Sequence, residues 1–225
     1  MKIGILGSGN MGRSLGMVWA EKGHDVFFAD KELDKALRVA TFVKRGTKAG
    51  TVEQVVAYSD VLLHTARGVM LSSMLKSIEG VKGKIIIDCN NVSKRHALYQ
   101  SKHRETSHAE RLAIDAPQAH IVKAFNTIPQ EVFEYCPEEL VQFNVSCFVC
   151  GDNQEAVKVV MNLAQEIGFN AIHCGPLRHA STLEGLGDFI RVMIKQQGIG
   201  PYCALSFNRL PPFPNPRLGG RNPQL

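Results

Sequence analysis

No apolar run in this chain approaches the roughly 18 residues that a membrane-crossing helix needs, so a membrane span is excluded. The six cysteines (Cys89, Cys136, Cys147, Cys150, Cys174 and Cys203) are scattered without the density of a disulfide scaffold. That usage favours a reducing compartment. No nucleic-acid motif accompanies the modest formal charge of +5. Much of the basic excess lies in KRHALYQSKHR (94–104) and in Arg209, Arg217 and Arg221. It reads as a solvated face plus a basic tail, and nucleic acid is not expected as a partner. Attraction for an anionic small ligand stays open. There is no internal repeat.

What is present is ordinary for a globular protein of one domain with an elaboration: 44% hydrophobic and 21% charged among 225 residues. Lys2 ahead of an apolar stretch could mimic a signal peptide. Gly4, Gly7, Ser8, Gly9, Asn10 and Arg13 break that stretch, so the start reads as mature and cytoplasmic. KIGIL (2–6) is a short buried strand ending at glycine. From Asn10 to Lys22, Met11, Leu15, Val18 and Trp19 fall at helical spacing, with Gly23 as the stop. DVFFA (25–29) is a second strand, and 31–44 a second helix. Further along, helix 51–59, strand 60–66, a helix over roughly 69–78 and strand 84–89 repeat the alternation.

After Cys89 the polar, basic stretch NNVSKRHALYQSKHRETS is expected to loop out before helix 107–114. Strands at 120–125 and 144–150, an amphipathic helix over 153–168, a closing strand at 169–174 and a last helix over 180–197 complete the pattern. The fold class is therefore α/β: a Rossmann-type doubly wound, mostly parallel sheet with helices on both faces and a short C-terminal helical extension. The expected organisation is one nucleotide-binding unit over 1–200 and a Pro/Gly/Arg-rich tail over 201–225. That tail should be irregular unless a partner orders it.

The most informative stretch is GSGNMG. In a strand–turn–helix context Gly7 permits the tight turn and Gly9 lets the backbone approach a pyrophosphate. Gly12 permits close packing of helix on strand. The expected ligand is a dinucleotide, its phosphates held where backbone N–H groups and the positive end of the helix converge. Asp30 ends the second strand about twenty residues on. Its carboxylate would accept from ribose hydroxyls and repel a 2′-phosphate, favouring NAD, or it would cap the following helix. Lys31 beside it could attract a phosphate, so NAD and NADP both stay open.

These residues, together with HIVKAFNTIP (120–129), FVCGD (148–152), VKVVMNLAQEIG (157–168) and GPLRHASTLE (175–184), resemble the deazaflavin (coenzyme F420)-dependent NADP reductases. Their relatives include the cytosolic oxidoreductase domain of six-transmembrane metalloreductases. The resemblance covers about residues 1–198, and KAFNTI is its most specific element. It implies an NAD(P)-dependent oxidoreductase in which hydride passes directly between a nicotinamide and a flavin or deazaflavin ring (F420, FMN or FAD) stacked against it. Such chemistry needs orientation more than acid–base groups: well-oriented reactants gain roughly 7–11 kcal/mol. No catalytic residue is assigned.

Carried over by residue, the resemblance puts the backbone of Ser8, Gly9, Asn10 and Met11 on the pyrophosphate, and Thr65, Ala66 and Arg67 on the nicotinamide side. Asn90 and Asn91 stand where the metalloreductase relatives carry an Asn pair. Ala124, Phe125, Asn126, Thr127 and Ile128 would wall the second ring. NADP-binding members carry a Ser-Arg pair where this chain has Asp30 and Lys31. Arg67 replaces a proline, and could hold an anionic group or pair with a surface acid.

Other candidates are weaker. Cys147 and Cys150 have zinc-knuckle or redox spacing but fall on a strand, so they read as core cysteines and no metal is expected. His64, His120 and His173 read as core or rim histidines. Cys89, at the ligand edge of the sheet, is conceivable as a reactive thiol. Lys123 reads as solvated and Glu184 as a surface carboxylate. Only about fifty residues follow the last expected strand, too few for the long helical domain of hydroxyacid dehydrogenases. The alternatives are a ferric-chelate, flavin or small-carbonyl reductase, and a non-catalytic NAD(P)-binding sensor or scaffold presenting its tail. A homodimer could cover the cleft.

Overall fold

The computed structural model describes residues 1–91 and 106–211. Strands β1 (Lys2–Leu6), β2 (Asp25–Ala29), β3 (Lys48–Ala49), β4 (Val61–His64), β5 (Ile85–Asp88), β6 (His120–Lys123), β7 (Ser146–Gly151) and β8 (Asn170–His173) form one sheet. Its order is 3-2-1-4-5-6-7-8. Every pairing is parallel except β6 with β7. The expected doubly wound, mostly parallel sheet is what forms.

The strands are buried on both faces, and their alternation divides the core in two. Ile3, Ile5, Leu63, Ile87 and Val122 point to one side. There they meet α1 (Asn10–Glu21), α2 (Leu33–Val43) and α7 (Gln154–Gln165) through Leu15, Trp19, Ala36, Val157 and Val160. Leu6, Leu62, Ile86 and Ile121 point to the other. There they meet α3 (Val52–Tyr58), α5 (His108–Asp115) and α8 (Ala180–Lys195) through Val55, Leu112 and Leu183. The Trp19 indole N–H donates to the Leu163 carbonyl at 3.2 Å, tying α1 to α7 inside the apolar layer.

Several boundaries differ from the sequence expectation. The helix expected over 69–78 splits into α4 (Leu71–Met74) and a 3-10 turn at Ile78–Val81, because Leu75 is extended and Ser77 caps the second piece. A short helix, α6 (Pro137–Gln142), and 3-10 turns at Gln130–Glu134 and Leu177–His179 carried no periodic signal. Cys147 and Cys150 lie in opposite core layers, and burial pushes each thiol up to about 12. His120 is half-buried and His173 exposed. The first part of the tail, though irregular, is held by the body: Ser146 N–H donates to the Leu205 carbonyl at 2.8 Å, and Phe207 N–H to Ser146 Oγ at 2.9 Å. The basic stretch 94–104 and the tail after Pro211 lie outside the described residues. Among the described residues no helix is long and apolar enough to cross a membrane.

Candidate functional site

Between β1 and β4 the strand order reverses direction, and the carboxyl ends of the strands open into a crevice there, the position where open α/β sheets bind ligands. The glycine loop forms its floor. Gly7 has φ +110°, and a side chain on it would strike Thr65. A Cβ on Gly12 would drive into the Gly7 carbonyl and lie 2.9 Å from Ile5. Gly9 is different: nothing lies within 4 Å of where its Cβ would stand. The sequence needs no side chain there, yet the fold leaves room for one. Gly9 is also the N-cap of α1, which receives no side-chain cap and has no acid in its first turn. The loop thus presents uncapped N–H groups and the positive end of a helix to open space.

Ser8 behaves otherwise than the carry-over implies. It is buried, and its N–H donates to Asp30 Oδ2 at 2.8 Å. Asp30 also takes the Lys35 ammonium at 2.8 Å, and its contact with Glu32 N–H is long, 3.4 Å. It gives no side-chain cap to α2, whose N-cap is Glu32. Burial alone would raise the Asp30 carboxyl, but the bonds from Lys35 and Ser8 hold it below its ordinary value. Lys31 is exposed, 3.8 Å from Glu32.

A cavity of about 340 Å³ continues from the loop along the sheet edge. Asn10, Met11, Thr65 and Arg67 line one end. Cys89, Asn90, Asn91 and Phe125, Asn126, Thr127, Ile128 form the wall, and Gly187, Ile190 and Arg191 of α8 close it. Ala66 sits beside Gly7, and Ala124 is fully enclosed behind the wall. Thr65 Oγ1 donates to the Gly7 carbonyl at 2.7 Å, locking the turn. Arg67 is exposed and makes no ion pair among the described residues. Cys89 is buried, and its thiol is pushed up to about 12 by burial and the Asp88 charge, so it is no thiolate at neutral pH.

The wall is held by a clasp. Asn126 Nδ2 donates to Asn91 Oδ1 at 2.8 Å and to the Leu183 carbonyl at 2.8 Å, while Asn91 Nδ2 donates to the Asn126 carbonyl at 2.9 Å. Gly187 leaves space for this pair; a Cβ there would lie 2.6 Å from Asn91 Oδ1. Phe125 takes φ +61°, a left-handed conformation that costs a non-glycine residue about 1–2 kcal/mol. Its ring is enclosed edge-on against Trp19 at 5.7 Å. Strain of this kind persists only where the surroundings over-determine it. Asn126 Oδ1 is buried with no hydrogen-bond donor among the described residues.

Behind the clasp lies a charged network that sequence reasoning missed. Lys123 is fully buried rather than solvated, and Glu184 is buried rather than at the surface. The Lys123 ammonium bonds Asp88 Oδ2 at 2.8 Å, Glu184 Oε1 at 2.7 Å and the Asn90 carbonyl. Asp88 Oδ1 receives His108 Nδ1 at 3.0 Å and Asn90 Nδ2 at 2.9 Å, and Glu184 receives His108 N–H at 2.9 Å. Burial by itself would lower the Lys123 ammonium, yet Asp88 and Glu184 raise it. Burial would raise Asp88, but Lys123 and then His108 hold it far below the carboxylate range. His64, also buried, is pushed down to about 4, mainly by burial. His64, Asp88 and His108 stand close enough to share a cation. Both Asp88 oxygens already receive donors, and the arrangement reads as an ion network. The available signal was a lysine inside an otherwise apolar strand, HIVKAF, facing an aspartate that ends the adjacent strand.

Residues 2–92 match the family model described as NADP oxidoreductase, coenzyme F420-dependent. Metalloreductase STEAP3 of Rattus norvegicus is 29% identical over 82% of this chain, and this chain spans only 36% of that protein's length. The F420-dependent NADP reductase of Methanothermobacter thermautotrophicus is 27% identical, over 82% of this chain and 85% of the relative. A solved structure from Arthrobacter sp. FB24, described as a candidate F420-dependent NADP reductase, superposes with TM-score 0.76 at 22% identity. It covers 93% of this chain and all of its own. An imine reductase from Myxococcus stipitatus in complex with NADP+ superposes at TM-score 0.58 and 16% identity, over 88% of this chain and 63% of its own, a likeness of fold.

Proposed function

We propose that this chain, a relative in sequence of the coenzyme F420-dependent NADP oxidoreductases, is an NADP-dependent oxidoreductase that moves hydride between nicotinamide and a flat flavin or deazaflavin-type acceptor. The observation that carries the reading is the glycine loop. Gly9 faces open space at an uncapped helix N-terminus, while Gly7 and Gly12 admit no side chain. An approaching pyrophosphate accounts for all three positions together; a merely structural turn accounts for Gly7 and Gly12 alone.

The rest of the cleft fits the same cofactor. The orphaned Asn126 Oδ1 is an acceptor suited to a carboxamide N–H2. When bound, the nicotinamide supplies the hydride. The chain's own residues orient and enclose: the clasp of Asn91 with Asn126 fixes one wall, and Ile128 and Ile190 exclude water. Rings held at near-attack distance in such a slot gain most of their acceleration from orientation. Arg67, at the open end of the slot, suits an anionic group on the acceptor.

The test is oxidation of NADPH by purified protein with FMN, FAD and a deazaflavin as acceptors, followed by loss of reduced-nicotinamide absorbance. Deuterium at C4 of the nicotinamide should appear at C5 of the deazaflavin, where a carbon–deuterium bond keeps it; on a flavin the label reaches N5 and exchanges with water, so there a slower oxidation of the deuterated cofactor reports the transfer. Tight cofactor binding with no turnover across the panel would overturn the catalytic reading in favour of a sensor.

A further inference from the structure

We propose that Lys123 and Glu184 are positioning residues that set the width of the slot: one buried ammonium holds both the carboxylate of α8 and the backbone of the facing wall, and so fixes the gap that the second ring enters. The inference rests on the hydride-transfer reading above for what occupies the slot. A lysine ammonium has three protons to give. Here they go to Asp88 Oδ2 at 2.8 Å, to Glu184 Oε1 at 2.7 Å and to the Asn90 carbonyl. That carbonyl belongs to the peptide bond leading into Asn91, which with Asn126 forms the clasp. Both walls of the slot therefore hang from a single nitrogen atom.

The inward face of α8 shows why one tether decides the gap. Ala180 and Leu183 pack into an apolar layer of the core. Further along the same face Gly187, Ile190, Arg191 and Ile194 line the cavity. Glu184 stands where the anchored half of the helix gives way to the slot half. Its Oε1 also receives the His108 N–H at 2.9 Å, in the first turn of α5, so the same oxygen ties α8 to β6 and to α5. One turn beyond, the backbone of α8 runs so near the facing wall that a Cβ on Gly187 would lie 2.6 Å from Asn91 Oδ1. There is no slack: a shorter tether pulls α8 into Asn91 or lets go, and a released helix loosens the clasp. A buried ion pair is weak evidence of stability gained, and registry is its best-attested use.

The experiment compares wild type, Glu184→Gln and Glu184→Asp in the full chain. Glu184→Gln keeps the length of the tether and an accepting oxygen but drops the charge. Glu184→Asp keeps the charge and shortens the tether by one methylene, about 1.5 Å. On each we would measure NADPH affinity by nicotinamide fluorescence, NADPH oxidation with FMN and with a deazaflavin, hydrogen exchange of α8 by peptide mass, and the denaturation midpoint. Glu184→Asp should lower kcat by about a hundredfold, the scale of a misplacement of about 1 Å, and speed exchange in α8, while NADPH affinity stays within about threefold. Glu184→Gln should keep kcat and α8 exchange within about threefold of wild type. A carboxylate that only stabilises the fold through its charge gives the opposite order, with Glu184→Gln the more damaged and its loss in step with its midpoint. That order, or wild-type kcat and exchange in Glu184→Asp, overturns the positioning role and leaves the hydride-transfer reading intact. Absence of turnover by wild type overturns that reading, and the exchange of α8 in the two variants then decides the tether by the same comparison.

Discussion

Replacing Lys123 by Met tests the buried network most sharply. The side chain keeps its length and loses its charge, leaving Asp88 with His108 and Asn90 and depriving Glu184 of its ammonium partner. Breaking one side of a buried ion pair costs about 3–5 kcal/mol, a large part of a domain's total of about 5–15 kcal/mol. In urea this should lower the unfolding midpoint by about 1–2 M at unchanged slope. The pH dependence carries a sign. Asp88 has a lowered pKa when folded, so its contribution is present above the unfolded carboxyl value and lost as pH falls through the folded one. Lys123 has a raised pKa, so its contribution is present below the unfolded lysine value and lost as pH rises through the folded one. Between about pH 4 and about pH 10 the wild-type pair is therefore constant. In the variant, carboxylates without their ammonium take up protons more readily folded than unfolded, so the deficit should shrink from about pH 8 to about pH 5. A deficit under about 1 kcal/mol that ignores pH would place the ammonium in water and refute the reasoning.

His64, held neutral with a pKa near 4, should cost stability as pH falls from its unfolded value through the folded one; His64→Gln should flatten that slope in equilibrium unfolding. Native protein treated with an alkylating agent at mildly alkaline pH should be modified at exposed Cys136, while Cys89, Cys147 and Cys150 react only on unfolding; early modification of Cys89, read by peptide mass, would contradict its burial. Gly12→Ala forces a methyl group against the Gly7 carbonyl and Ile5, and should lower stability by about 1–3 kcal/mol in urea unfolding.

The sheet was legible because KIGIL, DVFFA and KIIID are short apolar runs alternating with helical spacing, and burial on both faces leaves that pattern little freedom. The glycine loop was legible because its constraint is steric and local. Lys123 and Glu184 were misjudged because each has its partner on a distant element, β5 for one and β6 for the other. Single-residue burden of proof favours water for a charged side chain, and only the pairing reverses it. Lys35 was passed over for a similar reason: the acid at the end of β2 is a known landmark, whereas the lysine that covers it is set by the turn of α2. Asn91 and Asn126 meet 35 residues apart through a left-handed turn at Phe125 that no propensity would suggest.

The central claim is that the backbone at Gly9 is shaped to seat a dinucleotide's phosphates. Gly9→Val puts its side chain into open space, so the unfolding midpoint should move by no more than the cost of a poorer helix cap, about 1 kcal/mol. Fluorescence titration with NADPH should nonetheless show affinity reduced by tenfold or more, about 1.4 kcal/mol. Wild-type affinity in the folded variant would contradict the account.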